Sequence, residues 1–245
     1  MSGIALVTGG TRGLGRGIAD AFADAGYRVV VCGRRAPDDL PHRFVGCDVR
    51  DAEQVDTLIA DVVAREGRLD VVVNNAGGSP SAPVADASPR LAERVVALNL
   101  LAPLYVARAA NAVMQAQEDG GVVINIGSVA ARRPAPGTAA YAAAKAGLAV
   151  LTRALAVEWA PKVRVNAVTP GLVNTELAEQ NYGDDASTVA RTIPMGRLAE
   201  PADVAAACLL LAAPTLRYTT GADLYVDGGG EVPAFHTAMQ GADRG

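Results

Sequence analysis

The chain has 245 residues, half of them hydrophobic and 20% charged, with a formal net charge of −4 and a sequence pI of about 5.2. That balance excludes a disordered chain, which needs few apolar residues and high net charge, and it offers no basic surface to nucleic-acid phosphates. No uninterrupted apolar run reaches the ~18–20 residues of a membrane span, no charged-then-apolar leader opens the sequence, and Cys32, Cys47 and Cys208 have neither disulfide-framework nor metal-ligand spacing. The expectation is a soluble, cytoplasmic protein with a single domain over 1–245.

Taken in chain order, short apolar runs alternate with helical stretches. Strands are expected at 4–7, 27–32, 43–47, 71–73, 122–126, 163–168 and 223–226. Helices are expected at 13–25, 51–65, 89–117, 138–159 and 201–212. In the helix at 51–65, Val55, Leu58, Ile59, Val62 and Val63 share one face. Alternating strand and helix predicts an α/β fold, a doubly wound parallel sheet with helices on both faces. The strands are apolar throughout rather than alternating, as strands covered on both sides are. The least regular segments are 33–41, 77–88 and 172–197, the last a candidate substrate loop; residues 230–245 form a C-terminal tail.

The first strand runs into Thr8-Gly9-Gly10-Thr11-Arg12-Gly13-Leu14-Gly15, which opens the first helix. The spacing is G-x-x-x-G-x-G rather than G-x-G-x-x-G. Glycines let the backbone approach a pyrophosphate at a helix N-terminus, where free N–H groups and the helix dipole favour anions. About 20 residues on, an acid would accept from a ribose 2′-OH. This chain instead has Gly33-Arg34-Arg35. Two guanidiniums suit a 2′-phosphate, and Arg12 adds a third positive charge. NADP(H) is therefore the expected cofactor. Asp38 and Asp39 leave NAD(H) as the alternative.

Tyr141 and Lys145 are i and i+4 on a predicted helix and share a face. A free phenol, with a pKa near 10, is a poor proton exchanger at neutral pH, but a nearby ammonium favours the phenolate. Ser128 follows the fifth strand, on the side where doubly wound sheets bind ligands. Its hydroxyl can orient a carbonyl oxygen there.

Together the glycine turn, Asn74-Asn75-Ala76-Gly77, Ser128, Tyr141-Ala142-Ala143-Ala144-Lys145 and Pro170-Gly171 resemble the short-chain dehydrogenase/reductase family over most of the chain, and broadly its 3-oxoacyl-thioester reductases. The resemblance implies a single Rossmann-type domain with a seven-stranded parallel sheet, and hydride transfer between a nicotinamide and a carbonyl or secondary alcohol. It implies catalytic roles for Asn99, Ser128, Tyr141 and Lys145, with Asn99 holding water in a proton relay to the lysine. Its implied cofactor contacts are Gly9, Thr11, Arg12, Gly13, Leu14, Gly15, Arg34, Arg35, Asp48, Val49, Asn75, Ala76, Gly77, Tyr141, Lys145, Pro170, Gly171, Val173 and Thr175. Asp48 would face the adenine, and Val173 and Thr175 the nicotinamide carboxamide and a phosphate.

The resemblance also implies a homotetramer, with the small-residue helix after Ala139 at one interface and the last strand near another. The substrate side is expected to involve Ser79, 129–137 and 172–195, including Tyr182. Arg132 and Arg133 follow the serine and could draw in an anionic carrier. His42 and His236 have no partner motif, and no metal site is expected. A nucleotide-sensing protein without catalysis is the alternative class, because a fold alone does not give a function.

Overall fold

The computed structural model describes residues 3–176, 178 and 186–233. Seven strands form one parallel sheet: β1 (Ile4–Thr8), β2 (Arg28–Gly33), β3 (Arg43–Gly46), β4 (Val71–Asn74), β5 (Gly121–Ile126), β6 (Val163–Pro170) and β7 (Asp223–Val226). Their order across the sheet is β3-β2-β1-β4-β5-β6-β7, with Ala5 opposite both Val29 and Val71. The order reverses between β1 and β4, so a crevice opens above their C-terminal ends.

The helices are α1 (Gly13–Asp24), α2 (Ala52–Glu66), α3 (Pro89–Val96), α4 (Ala102–Ala116), α5 (Ala139–Trp159), α6 (Ala186–Ala190) and α7 (Pro201–Ala212). Side chains alternate across each strand, which explains the unbroken apolar runs. Ile4, Leu6, Val30 and Val72 face Leu58, Val62, Val106 and Met114 of α2 and α4. Ala5, Val7, Val31 and Val73 face Ile18, Phe22, Val204 and Leu211 of α1 and α7. Burying each such side chain contributes about 1.5–3 kcal/mol. Asp51 caps α2 by accepting from the Glu53 and Gln54 amides, and Gly67 ends it at φ +80°. Ser88 caps α3 through the Leu91 amide.

One expected element divides. The helix predicted at 89–117 is α3, a widened π-turn over Ala97–Leu101, and then α4. Two residues cause this. Pro103 has no N–H to offer the Asn99 carbonyl four residues back. Asn99 Nδ2 donates to the Val95 carbonyl at 2.9 Å, competing with the backbone for that acceptor. Sequence periodicity sees only an apolar helix here.

Two stretches, Pro89–Ala116 and Ala139–Trp159, are long and apolar enough to cross a membrane by length and composition. Charged residues such as Glu93, Arg108 and Lys145 interrupt both, so neither is an unbroken apolar run. In the structure they flank the sheet, with Ala110 and Met114 of one and Leu155 and Ala156 of the other in the core.

Candidate active site

The glycine turn is built by two strands. Thr8 ends β1 and is buried. Its Oγ1 accepts from the Asn75 and Ala76 amides, each at 3.0 Å. Asn75 Nδ2 donates back to the Thr8 carbonyl at 3.0 Å and to the Gly9 carbonyl at 3.3 Å. Gly9 is at φ +63° and Gly13 at φ +53°, a region that favours glycine. A Cβ on Gly15 would lie 2.3 Å from both the Gly9 carbonyl oxygen and Asn75 Nδ2. The backbone is thereby drawn into a tight cradle at the start of α1. The amide of Gly13 donates to an oxyanion, Glu176 Oε1, at 2.9 Å. A cradle that takes a carboxylate there has the donor a dinucleotide pyrophosphate needs. Thr11 and Arg12 line this turn, with the Thr11 methyl beside Gly33; Leu14 packs toward the α1–α7 core.

Arg34 and Arg35 follow β2 and are exposed, as is Arg12. Asp48 lies near Arg34, but Arg50 grips its carboxylate, with Nε to Oδ1 at 2.9 Å and Nη2 to Oδ2 at 2.5 Å. That bond holds the Asp48 pKa below the usual range, and the Arg34 charge adds to the effect. Val49, expected among the cofactor contacts, has its side chain in the core.

The residues expected to be catalytic converge beyond β4 and β5. Ser128 begins a single 3₁₀ turn, Val129–Ala131, and its Oγ accepts from the Ala130 amide at 3.2 Å. That turn packs against α5, which carries Tyr141 and Lys145. Lys145 is buried. Its Nζ donates to the Ile126 carbonyl at 2.8 Å and lies 5.8 Å from the Tyr141 ring centroid. Burial pulls its pKa down to about 8, because the charged form loses its hydration. Asn99, also buried, exchanges two hydrogen bonds with Gly78. A Cβ on Gly77 would lie 2.8 Å from Asn99 Oδ1 and 3.3 Å from Lys145 Nζ, so the asparagine and the lysine flank one glycine.

Pro170 ends β6, and the Gly171 amide bonds to the Val226 carbonyl at 2.9 Å. Val173 is buried and bridges to Ala199. Thr175 follows it, and its carbonyl accepts from the Ala178 amide. Arg132 lies 4.3 Å over the Tyr225 ring, and Arg133 pairs with Glu231 at 2.5 Å. The two arginines are thus engaged by the end of the chain. His42, without a partner motif in the sequence, bonds to Asp20 at 2.6 Å. Tyr182 and His236 lie outside the described residues. Glu176 lies in the expected substrate stretch 172–195, Thr8 in the glycine turn and Tyr225 in the last strand, but the sequence does not indicate their partners, nor any role for Glu231. Only folding brings them to the site, and no spacing rule marks them. An open depression of about 770 Å3 lies at the β3 edge. Arg43 there pairs with Asp61 and Glu66, and none of the residues expected to be catalytic lines it. Among the described residues no group of three or more His, Cys, Asp or Glu stands ready to hold a metal.

A family model described as enoyl-(acyl carrier protein) reductase matches residues 9–231. The chain is 38% identical over 239 residues to a Streptomyces violaceoruber protein assigned as ketoacyl reductase 2 of the granaticin polyketide synthase, covering 92% of this chain and 95% of that one. The ligand-free aldohexose dehydrogenase of Thermoplasma acidophilum superposes with a TM-score of 0.89, at 32% identity over 93% of both chains. The NADP-bound structure of ElxO superposes at 0.87, with 31% identity over 94% of this chain and 98% of that one. Matched over nearly its whole length by relatives of one kind, and sharing their sheet, the chain belongs to the short-chain dehydrogenase/reductase family of oxidoreductases.

Proposed function

We propose that the protein is a cytoplasmic, homotetrameric, NADP(H)-dependent oxidoreductase that interconverts a small-molecule ketone and a secondary alcohol. The observation that carries this reading is the buried Lys145 ammonium one helical turn from Tyr141, beside the Ser128 turn. A structural lysine would reach water. One held in the interior against an aromatic acid has a chemical use.

The residues divide the work. The cradle of Gly9, Gly13 and Gly15 holds the pyrophosphate, and Arg12, Arg34 and Arg35 hold the 2′-phosphate. Asp48, Val49, Asn75, Ala76 and Gly77 form the wall beside the adenosine. Pro170, Gly171, Val173 and Thr175 bound the nicotinamide end. The bound nicotinamide supplies a hydride acceptor or donor. Ser128 Oγ–H donates to the substrate oxygen and fixes its direction. Tyr141 gives its phenolic proton to that oxygen in reduction and takes it back in oxidation. Lys145 stabilises the phenolate by its charge, and Asn99 orders the backbone behind it.

Arg132 and Arg133 being tied to Tyr225 and Glu231 favours an uncharged carbonyl over an anionic carrier. The homotetramer is supported by the exposed Val150 and Val157 of α5 and by the exposed Leu210 and Tyr218; sedimentation at 25 kDa would refute it. The decisive experiment follows nicotinamide absorbance with ketones, diketones, sugars and 3-oxoacyl thioesters, using NADPH and NADH in parallel. Tyr141→Phe should lower kcat by at least about 100-fold with dinucleotide binding retained. An unaltered rate would refute the assignment, and a higher kcat/KM with NADH would refute the cofactor choice.

A further inference from the structure

The glycine turn carries an anion of its own. Gly13 N donates to Glu176 Oε1 at 2.9 Å, and the other carboxylate oxygen lies 3.3 Å from where a Gly13 Cβ would stand. The first turn of α1 has no acidic residue, and Arg12 at its N-cap gives no side-chain cap. The negative charge that this helix start favours therefore comes from 163 residues away.

The presenting backbone is anchored. The Ala199 amide bonds to the Leu172 carbonyl and the Asn174 amide to the Ala199 carbonyl. Asn174 Nδ2 adds a bond to Glu200 Oε1 at 3.0 Å. Glu176 follows two residues later. Its position reflects a fixed approach to the cradle and an attraction at the far end.

We propose that Glu176 is an internal competitor for the dinucleotide, its carboxylate holding the pyrophosphate position in the free protein. This rests on the dinucleotide reading above. One amide at this distance serves one oxyanion, and a carboxylate beside a pyrophosphate repels it. Glu176 therefore leaves when the cofactor seats, and it sets the affinity of the free protein for its cofactor.

Calorimetric titration of the wild type, Glu176→Gln and Glu176→Ala tests this without turnover. The probes are NADPH, NADH and adenosine 2′-monophosphate, which lacks a pyrophosphate. Both variants should bind the preferred dinucleotide about two- to fivefold more tightly, the range of one carboxylate at a helix start, with adenosine 2′-monophosphate unchanged. Unchanged or weaker dinucleotide binding in both variants overturns the proposal. So does an equal gain for adenosine 2′-monophosphate, which would be a general charge effect. Failure of all three proteins to bind either dinucleotide overturns the cofactor reading itself, and the competitor with it.

Discussion

Asn99 and Gly78 grip each other through both polar faces of one amide: Gly78 N–H donates to Asn99 Oδ1 and Asn99 Nδ2 donates to the Gly78 carbonyl, each at 2.9 Å. Asn99→Ala leaves both Gly78 groups and the Val95 carbonyl without these partners. Losing hydrogen bonds in a buried setting costs about 1–3 kcal/mol per unsatisfied group, part of which water at Gly78 recovers. The expected outcome is about 2 kcal/mol of lost stability in urea unfolding, together with a lower kcat. Stability unchanged in N99A would show that the asparagine does not brace this turn.

Gly15→Ala tests the cradle. The added methyl would stand 2.3 Å from a backbone carbonyl, which cannot turn aside as a side-chain tip can. Overpacking of this kind costs about 1–3 kcal/mol, and it separates the Gly9 turn from Asn75. Thermal melting should fall and dinucleotide titration should weaken together. Gly26→Ala is the control: nothing lies within 4 Å of its Cβ, and φ is +88°. It should cost only about 1 kcal/mol of backbone strain and leave binding intact.

The buried Lys145 makes stability depend on pH. Its folded pKa is about 8 against an ordinary value of 10.5. Below pH 8 both states carry the proton, and the burial penalty is fully present. Between the two values the folded state has lost the proton and the unfolded state keeps it. Stability then rises with pH, by up to about 1.4 kcal/mol per unit. Lys145→Met lacks this term. Urea unfolding of the two proteins from neutral to alkaline pH should show the wild type gaining on K145M only above about pH 8. A difference independent of pH would refute the lowered pKa.

The sheet was legible because its strands are buried on both faces. Val71-Val72-Val73 has no other use in so short a run, and Asp223–Val226 emerges with the expected bounds. The placement of Ser128 at a strand end and of Tyr141 and Lys145 on one helix was legible because strand ends and i,i+4 spacing are local properties. The π-turn at Asn99 was not, since it depends on a proline four residues on and a carbonyl four residues back. Nor were the partners of Arg132 and Arg133. The sequence offers them to solvent or a ligand; the fold turns Tyr225 and Glu231 toward them.

The Thr8–Asn75 joint makes the cradle depend on two distant strands. Its two halves are 67 residues apart in sequence, and they meet only once β1 has found β4. A fragment ending shortly after α1 would contain the whole glycine signature and yet lack the brace that shapes it. A dinucleotide seated there would therefore stabilise only chains whose central strands have paired, by mass action on the finished protein.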